Sequence, residues 1–437
     1  MIPDVRRVIT EGHETVVIRG GRVLDPSTGR DEVGDVWIVD GRFAEAGKDL
    51  SATVVIPAQG QIVCPGLIDL HVHLREPGYE YRETLRSGAQ AAAAGGYTTI
   101  ACMADTTPTI DNAEVVRFVQ REARNADARI YVVGAVTRGR KGEQLAEVGE
   151  LVEAGAVALS DDDNAIENPA IMRLALEYTR MFDIPIFAHC DDPRLSTNGM
   201  MNESAVSTTL GLKGIPAVAE ESIIARDLML TELTGGRLHI AHVSTAGGIT
   251  LIRAAKQRGL RVTADVTPHH LTLTDEALRT FDTSLKVSPP LRTNRDVEAL
   301  RAGLKEGTID AISSDHAPCS FDEKSVEYEV ALFGAIGLET TLAIVLTDLV
   351  NAGHLSLMEA IRAMTANPAR ILGLAAGTLK VGTPADLTIF DPKISWTVEP
   401  ERFLSKSRNT PFSGRCLTGR TTHTVLNGRV IQWSSVD

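Results

Sequence analysis

The chain has 437 residues, and its 57 Asp and Glu against 44 Lys and Arg give a formal net charge of −13 at pH 7. Such an acidic surface disfavours nucleic acid as a partner, because the phosphate backbone would be repelled. No apolar run approaches the roughly 18 residues that a bilayer requires, so we expect no membrane partner. The five cysteines are scattered and the first residues include no apolar segment, which predicts the cytoplasm.

Both ends of the chain have the pattern of short strands joined by tight turns. Residues 17–63 alternate apolar and polar residues between Gly and Asp turn signals, and residues 377–432 do the same. The pair Asn427-Gly428 predicts a two-residue hairpin turn. We therefore expect a small composite β-sandwich built from residues 1–63 and 374–437, and a different unit over residues 64–373.

The middle of the chain alternates short apolar runs with stretches of helical character. The eight runs are LIDLHVH (67–73), TTIACMAD (98–105), RIYVVGAV (129–136), AVALSDD (156–162), IPIFAHC (184–190), RLHIAHVS (237–244), RVTADVT (261–267) and DAISSDH (310–316). Strands that alternate with helices predict a parallel sheet with right-handed crossovers. Eight of them predict an α/β fold of the (β/α)8 TIM-barrel type. A doubly wound open sheet is the structural alternative.

Side chains that can bind a metal stand at the ends of these runs, where barrel enzymes carry their active sites. His71 and His73 are two positions apart, so both imidazoles face the same side of a strand. The other strand ends carry Asp161, Asp162, Asp163, His189, His242 and Asp315. One histidine at a strand end is usually a packing residue, but the full set predicts a metal centre.

The set contains more ligands than one tetrahedral Zn²⁺ needs, which favours two Zn²⁺ ions bridged by a carboxylate. His71 and His73 would bind one ion, and His189 and His242 the other. Two close cations lower the pKa of a bridging water, which makes hydroxide at neutral pH. Asp315 could bind one ion and also shuttle the proton. The alternative is a single ion with the remaining histidines behind it.

Distinctive motifs cover nearly the whole chain. They are PGLIDLHVHLREPG (65–78), GAVALSDD (155–162), HCDD (189–192), HIAHVSTAGG (239–248), VTPHHLTLTDE (266–276), PPLR (289–292), SSDHAP (313–318), EK (323–324), FGAIGLET (333–340), PADLTIFDP (384–392) and SKSRNTPFSG (405–414). Together they closely resemble the amidohydrolase superfamily, and within it the bacterial class I dihydroorotases.

This resemblance implies a reaction and a set of residues that perform it. The reaction is the reversible cyclisation of N-carbamoyl-L-aspartate to L-dihydroorotate in de novo pyrimidine biosynthesis, by hydroxide bound between two Zn²⁺ ions. Asp315 would carry the proton to the leaving nitrogen, and Arg75 would clamp the substrate carboxylate. By resemblance, one ion would bind His71, His73, Asp162 and Asp315, and the other Asp162, His189 and His242.

The bridging ligand separates this chain from many relatives. Hydantoinases and allantoinases use a carboxylated lysine, but no lysine lies between Lys141 and Lys213. Asp162 stands 189 − 162 = 27 residues before His189, the spacing expected of the bridging Asp in the resembled family. Asp161 is the close competitor for this role.

Three substrate-side positions depart from the family pattern. Asp105 stands where the family has an Asn that helps to hold the substrate carboxylate, so it would place a negative charge against that anion. Ser288 and Cys319 replace an Asn and a His. The residues that the resemblance assigns to the substrate are His73, Arg75, Asp105, Ser288, Cys319, Phe333 and Gly334.

These departures leave two alternatives to a dihydroorotase. One is a hydrolase of another cyclic amide or ureide. The other is a non-catalytic dihydroorotase-like partner of aspartate carbamoyltransferase, against which the intact set of metal ligands argues. We expect a small-molecule substrate, and leave open a homo-oligomer and a complex with aspartate carbamoyltransferase.

Overall fold

The computed structural model describes residues 6–47 and 50–433. Residues 1–5, 48–49 and 434–437 of the predicted sandwich lie outside the described residues. The first strands are β1 (Arg6–Val8), β2 (Val16–Asp25), β3 (Arg30–Val39), β4 (Arg42–Ala44), β5 (Val54–Pro57) and β6 (Ile62–Pro65).

A parallel sheet of eight strands forms the centre of the molecule. The strands that follow β6 are β7 (Leu67–Val72), β8 (Tyr97–Cys102), β9 (Arg129–Gly134), β10 (Ala156–Leu159), β11 (Ile186–His189), the short pair β12 (Met201–Asn202) and β13 (Gly214–Ile215), β14 (Leu238–Ala241), β15 (Val262–Val266) and β16 (Ala311–Ile312). Without β12 and β13, they pair in chain order from β7 to β16. The sheet strands correspond one to one with the eight predicted runs.

The first and last strands of this sheet meet, which closes the barrel. Val72 forms a parallel bridge with His316, and the His73 N–H donates to the His316 carbonyl at 2.9 Å. The Asp69 carboxylate on β7 accepts the Ser314 N–H at 3.0 Å. The predicted (β/α)8 barrel is therefore confirmed, and the open doubly wound alternative is wrong.

The helices are α1 (Leu85–Ala94), α2 (Ala113–Glu122), α3 (Val148–Glu153), α4 (Pro169–Thr179), α5 (Ala205–Leu210), α6 (Ala217–Thr234), α7 (Ala246–Gln257), α8 (Pro268–Thr272), α9 (Asn294–Glu306), α10 (Phe321–Lys324), α11 (Thr341–Ile344), α12 (Leu357–Met364) and α13 (Ala366–Leu372). Local sequence sets their starts, as where the Asn168 side chain accepts from the Ala170 N–H and Pro169 opens α4. Among the described residues, no helix combines the length and apolar character needed to cross a bilayer.

Side chains fill the inside of the barrel, so it is a packed core and not a pore. Ile371 and Leu372 of α13 pack against this layer. The layer itself consists of Leu70, Ala101, Met103, Val133, Ala158, Phe187 and Ala311. Space for a ligand is therefore left at the carboxyl ends of the strands.

Strands from both ends of the chain share one mixed sheet. The last strands are β17 (Leu387–Thr397), β18 (Cys416–Leu426) and β19 (Arg429–Trp433), and the order is β1-β19-β18-β17-β6-β2-β3-β4, with β5 paired to β2. The predicted hairpin turn joins β18 to β19, with positive φ at Asn427 (50°) and Gly428 (79°). The division at residues 63/64 and 373/374 stays a prediction.

Candidate metal centre

The six predicted metal ligands converge at the carboxyl ends of the barrel strands. Each is at most 6% exposed: His71, His73, Asp162, His189, His242 and Asp315. Three of them follow a strand in the left-handed backbone region, with φ of 55° at Asp162, 38° at His242 and 48° at Asp315. Residues other than glycine rarely adopt this conformation, and it clusters at functional sites.

The first group of side chains gathers around His71 and Asp162. His71 Nε2 lies 3.0 Å from Asp162 Oδ1, and His73 Nδ1 lies 3.7 Å from Asp162 Oδ2. Asp315 Oδ1 lies 3.5 Å from His73 Nε2. One donor atom from each of His71, His73 and Asp162 falls within 4.8 Å of the others. Ligands about 2.1 Å from a common Zn²⁺ have separations of this order.

A second group overlaps the first. Donor atoms of His71, His242 and Asp315 also lie within 4.8 Å of one another. His189 Nδ1 is 2.9 Å from His242 Nε2. The structure thus brings His189 and His242 together, and it also brings His242 next to His71 and Asp315, which sequence reasoning assigned to the other ion.

The electrostatics of this cluster suit a cation. Burial acts to raise the pKa of Asp162, but His73 and His71 hold it well below its usual value. Burial lowers the pKa of His242, and His71 and His189 lower it further, so the imidazole is neutral. Burial also opposes protonation of His73, but Asp105 and Asp162 raise its pKa well above the usual value. A divalent cation would replace such protons, because metal binding releases them.

Buried imidazole nitrogens without a hydrogen-bond partner occur in this cluster. They are the Nδ1 atoms of His71 and His242, whereas His73 Nδ1 lies 2.9 Å from Asp105 Oδ2. A buried polar atom without a partner costs free energy, and native proteins seldom leave one unexplained. Imidazoles and carboxylates are ligands that Zn²⁺ takes in proteins, so the chemistry of this donor set fits the predicted cofactor.

The two neighbouring aspartates face different partners. Asp161 accepts hydrogen bonds from the Thr137 N–H at 2.9 Å and from the Thr137 hydroxyl. Asp162 instead faces His71 and His73. Arg140, which follows β9 and which sequence reasoning missed, donates to the Asp161 carbonyl and lies 3.5 Å from Asp162 Oδ2. No motif marks this arginine in the sequence.

The predicted substrate residues lie in three places around the predicted metal ligands. Arg75 Nη1 pairs with Asp105 Oδ2, and the same oxygen is 2.9 Å from His73 Nδ1. On another side, Ser288 Oγ lies 3.4 Å from His189 Nε2.

The third place is the segment between β16 and α11, which includes the short helix α10. Cys319 Sγ lies 3.4 Å from the Phe333 carbonyl. The Gly334 N–H donates to the Lys286 carbonyl at 2.9 Å. Asn409 holds this loop, since its amide donates to the Gly334 carbonyl and its Oδ1 accepts from the Cys319 N–H. The motif at 405–414 contained Asn409, but only the structure reveals this contact.

Further polar residues contact the predicted ligands or their neighbours in the chain. Asp265 accepts from the His242 N–H at 2.6 Å and lies 3.0 Å from His239 Nε2. Glu83, which is fully buried, lies 3.4 Å from His316 Nε2 next to Asp315 in the chain. Such contacts fix the orientation of residues that bind a metal. Sequence reasoning did not single out His239, Asp265 or Glu83.

Comparisons with known proteins point to one family. A family model described as Dihydro-orotase-like matches residues 60–247, and one described as Amidohydrolase family matches residues 227–432. A dihydroorotase of Pelotomaculum thermopropionicum is 53% identical, over 96% of this chain and 99% of that protein. One of Syntrophotalea carbinolica is 52% identical, over 95% and 98%.

Solved structures share the fold over the same length. The L-hydantoinase (dihydropyrimidinase) from Arthrobacter aurescens superimposes with a TM-score of 0.86 at 26% identity, covering 95% of this chain and 96% of that one. The dihydropyrimidinase from Brevibacillus agri gives a TM-score of 0.82 at 24% identity, covering 95% and 94%.

Site and comparisons together indicate a metal cofactor and a small-molecule substrate. The two dihydroorotases match this chain over nearly their whole length, with about half of the aligned residues identical. The barrel carries the histidine and aspartate groups at its mouth. The chain therefore belongs to the dihydroorotase family of the metal-dependent amidohydrolases.

Proposed function

We propose that this protein interconverts N-carbamoyl-L-aspartate and L-dihydroorotate in de novo pyrimidine biosynthesis, using two Zn²⁺ ions. The observation that carries the proposal is the convergence of four imidazoles and two carboxylates at the barrel mouth, in a chain 53% identical to a dihydroorotase. The six side chains come from five strand ends, which makes a purely structural reason for the set hard to find.

One ion would bind His71, His73, Asp162 and Asp315, and the other Asp162, His189 and His242. The 3.0 Å separation of Asp162 from His71 supports Asp162 as the shared ligand. The hydrogen bonds from Thr137 to Asp161 argue against its competitor. When bound, such ions polarise an amide carbonyl and lower the pKa of water.

Asp315 is the residue we assign to proton transfer. Its Oδ1 lies 3.5 Å from His73 Nε2 and 3.9 Å from His71 Nε2, so the carboxylate faces the centre of the cluster. In ring opening, a carboxylate there can accept at Oδ a proton from the water that attacks the amide carbonyl, and then donate it to the ring nitrogen that leaves. Ring closure uses the same groups in reverse order.

Arg75 would bind the carboxylate of the substrate, because a guanidinium offers two parallel donors to that anion. The other substrate contacts are proposed around the same cluster, with His73 facing both substrate and metal. The residues concerned are His73, Asp105, Ser288, Cys319, Phe333 and Gly334. The Gly334 N–H already donates to Lys286, so in this conformation Gly334 contributes shape more than a hydrogen bond.

We also propose where and in what state the protein works. Its five cysteines are free, which supports the cytoplasm.

Exposed apolar side chains on the neighbouring helices α4 and α6, such as Leu174 (49%) and Leu233 (64%), support a homo-oligomer. A complex with aspartate carbamoyltransferase stays a further proposal, which co-elution of the two purified proteins would test.

A second candidate is hydrolysis of a related ring that lacks the carboxylate. The pairing of Arg75 with Asp105 favours it, since the guanidinium expected to hold the substrate anion already contacts an anion. Dihydrouracil is the matched compound, because it differs from dihydroorotate by the missing carboxylate.

The test is a direct assay of the zinc-loaded protein with L-dihydroorotate and N-carbamoyl-L-aspartate, beside dihydrouracil, hydantoin and allantoin. We expect interconversion of the first two compounds. Turnover of neutral rings alone would replace the proposal by the second candidate. Absence of all turnover in protein that retains its metal would favour a non-catalytic partner of aspartate carbamoyltransferase.

A further inference from the structure

The carboxylate of Asp105 is shared between an arginine and a histidine of the site. Its Oδ2 pairs with Arg75 Nη1 and also lies 2.9 Å from His73 Nδ1. Arg75 and Asp105 come from different loops, 30 residues apart in the chain. The pair therefore depends on the way the barrel brings the loops after β7 and β8 together.

This ion pair is shielded from solvent. The Arg75 side chain is 11% exposed and that of Asp105 is 8% exposed. Salt and water screen such a pair much less than they screen ion pairs on the surface. Arg75 is held further because its Nε donates to the Pro318 carbonyl at 3.3 Å. An incoming anion thus meets a guanidinium whose charge is already balanced.

The second oxygen of Asp105 is in a different situation. Asp105 Oδ1 is buried and has no hydrogen-bond partner. A buried carboxylate oxygen without a donor costs free energy. The contact with Arg75 therefore leaves one of the two Asp105 oxygens without a hydrogen bond. The carboxylate can leave Arg75 at lower cost than one whose two oxygens are both hydrogen-bonded.

We infer that Asp105 is a specificity-determining residue, an internal counter-anion that occupies Arg75 and that a substrate carboxylate must displace. The inference rests on the proposed function, since it takes Arg75 as the group that binds the substrate anion. Asp105 weakens the binding of rings that carry a carboxylate and leaves the binding of neutral rings unaffected.

The substitution Asp105→Asn tests this with little change in shape. It removes the charge and keeps a side chain that can accept a hydrogen bond from Arg75. We expect the KM for L-dihydroorotate to fall at least about tenfold, the change worth one charge-assisted hydrogen bond. The kcat should stay within about threefold, and the inhibition constant of dihydrouracil should not change.

Asp322→Asn is the matched control, because it removes the same charge from the exposed start of α10. Its KM for L-dihydroorotate should equal that of the unchanged protein. An equal fall in KM for both variants would assign the effect to overall charge and overturn the inference.

A role of Asp105 in orienting His73 would give a different result. Asp105→Asn would then lower the zinc content and kcat, and the effect would be the same for rings with and without a carboxylate. That result, or an unchanged or higher KM, overturns the inference while the proposed function stands.

If neither protein opens dihydroorotate, the proposed function fails on its own. Calorimetric binding of N-carbamoyl-L-aspartate to the two zinc-loaded proteins then decides the inference. Tighter binding to Asp105→Asn supports it, and equal or weaker binding overturns it.

Discussion

Asp161 and Asp162 are adjacent in the chain, yet the structure predicts opposite consequences when each is replaced by asparagine. Asp162 faces His71 and His73, whereas Asp161 accepts hydrogen bonds from Thr137. The left-handed backbone at Asp162, with φ of 55°, turns the two side chains in different directions. The pair is therefore its own matched control, since both variants lose one carboxylate at nearly the same place.

For Asp161→Asn the cost is structural and modest. Hydrogen bonds to a charged group contribute about 1.5–3 kcal/mol each, but the amide oxygen of the new asparagine can keep one of the two hydrogen bonds from Thr137. Burial raises the pKa of Asp161 even though Thr137 donates to it, so a neutral amide also relieves part of a desolvation penalty. We expect a loss of about 1–2 kcal/mol in the free energy of unfolding, with zinc content and kcat close to unchanged.

For Asp162→Asn the cost falls on the proposed two-zinc centre. An amide is a weaker ligand than a carboxylate and carries no charge to offset two cations. We expect at least one equivalent of zinc to be lost and turnover of dihydroorotate to fall by at least about a hundredfold. The pKa of His73 would also fall, because the charge of Asp162 is one of those that raise it.

Elemental analysis of zinc, initial rates with dihydroorotate and urea unfolding of both variants provide the three measurements. Full zinc content and activity in Asp162→Asn, with loss of both in Asp161→Asn, would refute the assignment. Equal loss of zinc in both variants would show that the shared position, and not the direction of each side chain, determines metal binding.

Two other residues lead to predictions outside the ligand set. Burial lowers the pKa of His423 to about 4, below the value of about 6.5 in the unfolded chain, so the unfolded chain binds more protons as pH falls through this window. The free energy of unfolding therefore decreases on acidification. In His423→Gln this decrease between pH 7 and pH 5, measured by urea unfolding, should be smaller by about 2 kcal/mol. A decrease equal to that of the unchanged protein would contradict this. Asn409→Ala removes side-chain hydrogen bonds to Ala317, Cys319 and Gly334. We expect the free energy of unfolding to fall by about 3 kcal/mol and the KM to rise at full zinc content. An unchanged KM would argue against a role of Asn409 in holding the segment that carries Cys319 and Gly334.

Much of the fold followed from the sequence because its signals are local. The apolar runs and the helical stretches between them repeat eight times, and parallel strands place their carboxyl ends at one mouth. The same rule gathered His71, His189 and His242, which lie far apart in the chain. Even the turn at Asn427-Gly428 was predictable, because two consecutive positive φ values favour this pair of residues.

Other parts of the site depend on contacts that no local pattern encodes. Arg140 reaches Asp162 only because the loop after β9 folds over the strand ends. Asn409 holds the Cys319 loop from the other end of the chain. The sequence placed Asp105 near the substrate, but its pairing with Arg75 depends on side-chain directions that loop geometry sets.

We propose above all that the cluster of histidines and aspartates at the barrel mouth is a two-zinc centre that opens dihydroorotate. The most direct measurement is a titration of metal-free protein with Zn²⁺, in which bound zinc and the initial rate of dihydroorotate opening are followed together. We expect no turnover without metal and a rate that levels off at about two bound ions per chain. Full activity in protein freed of metal, or a plateau at one ion, would contradict it.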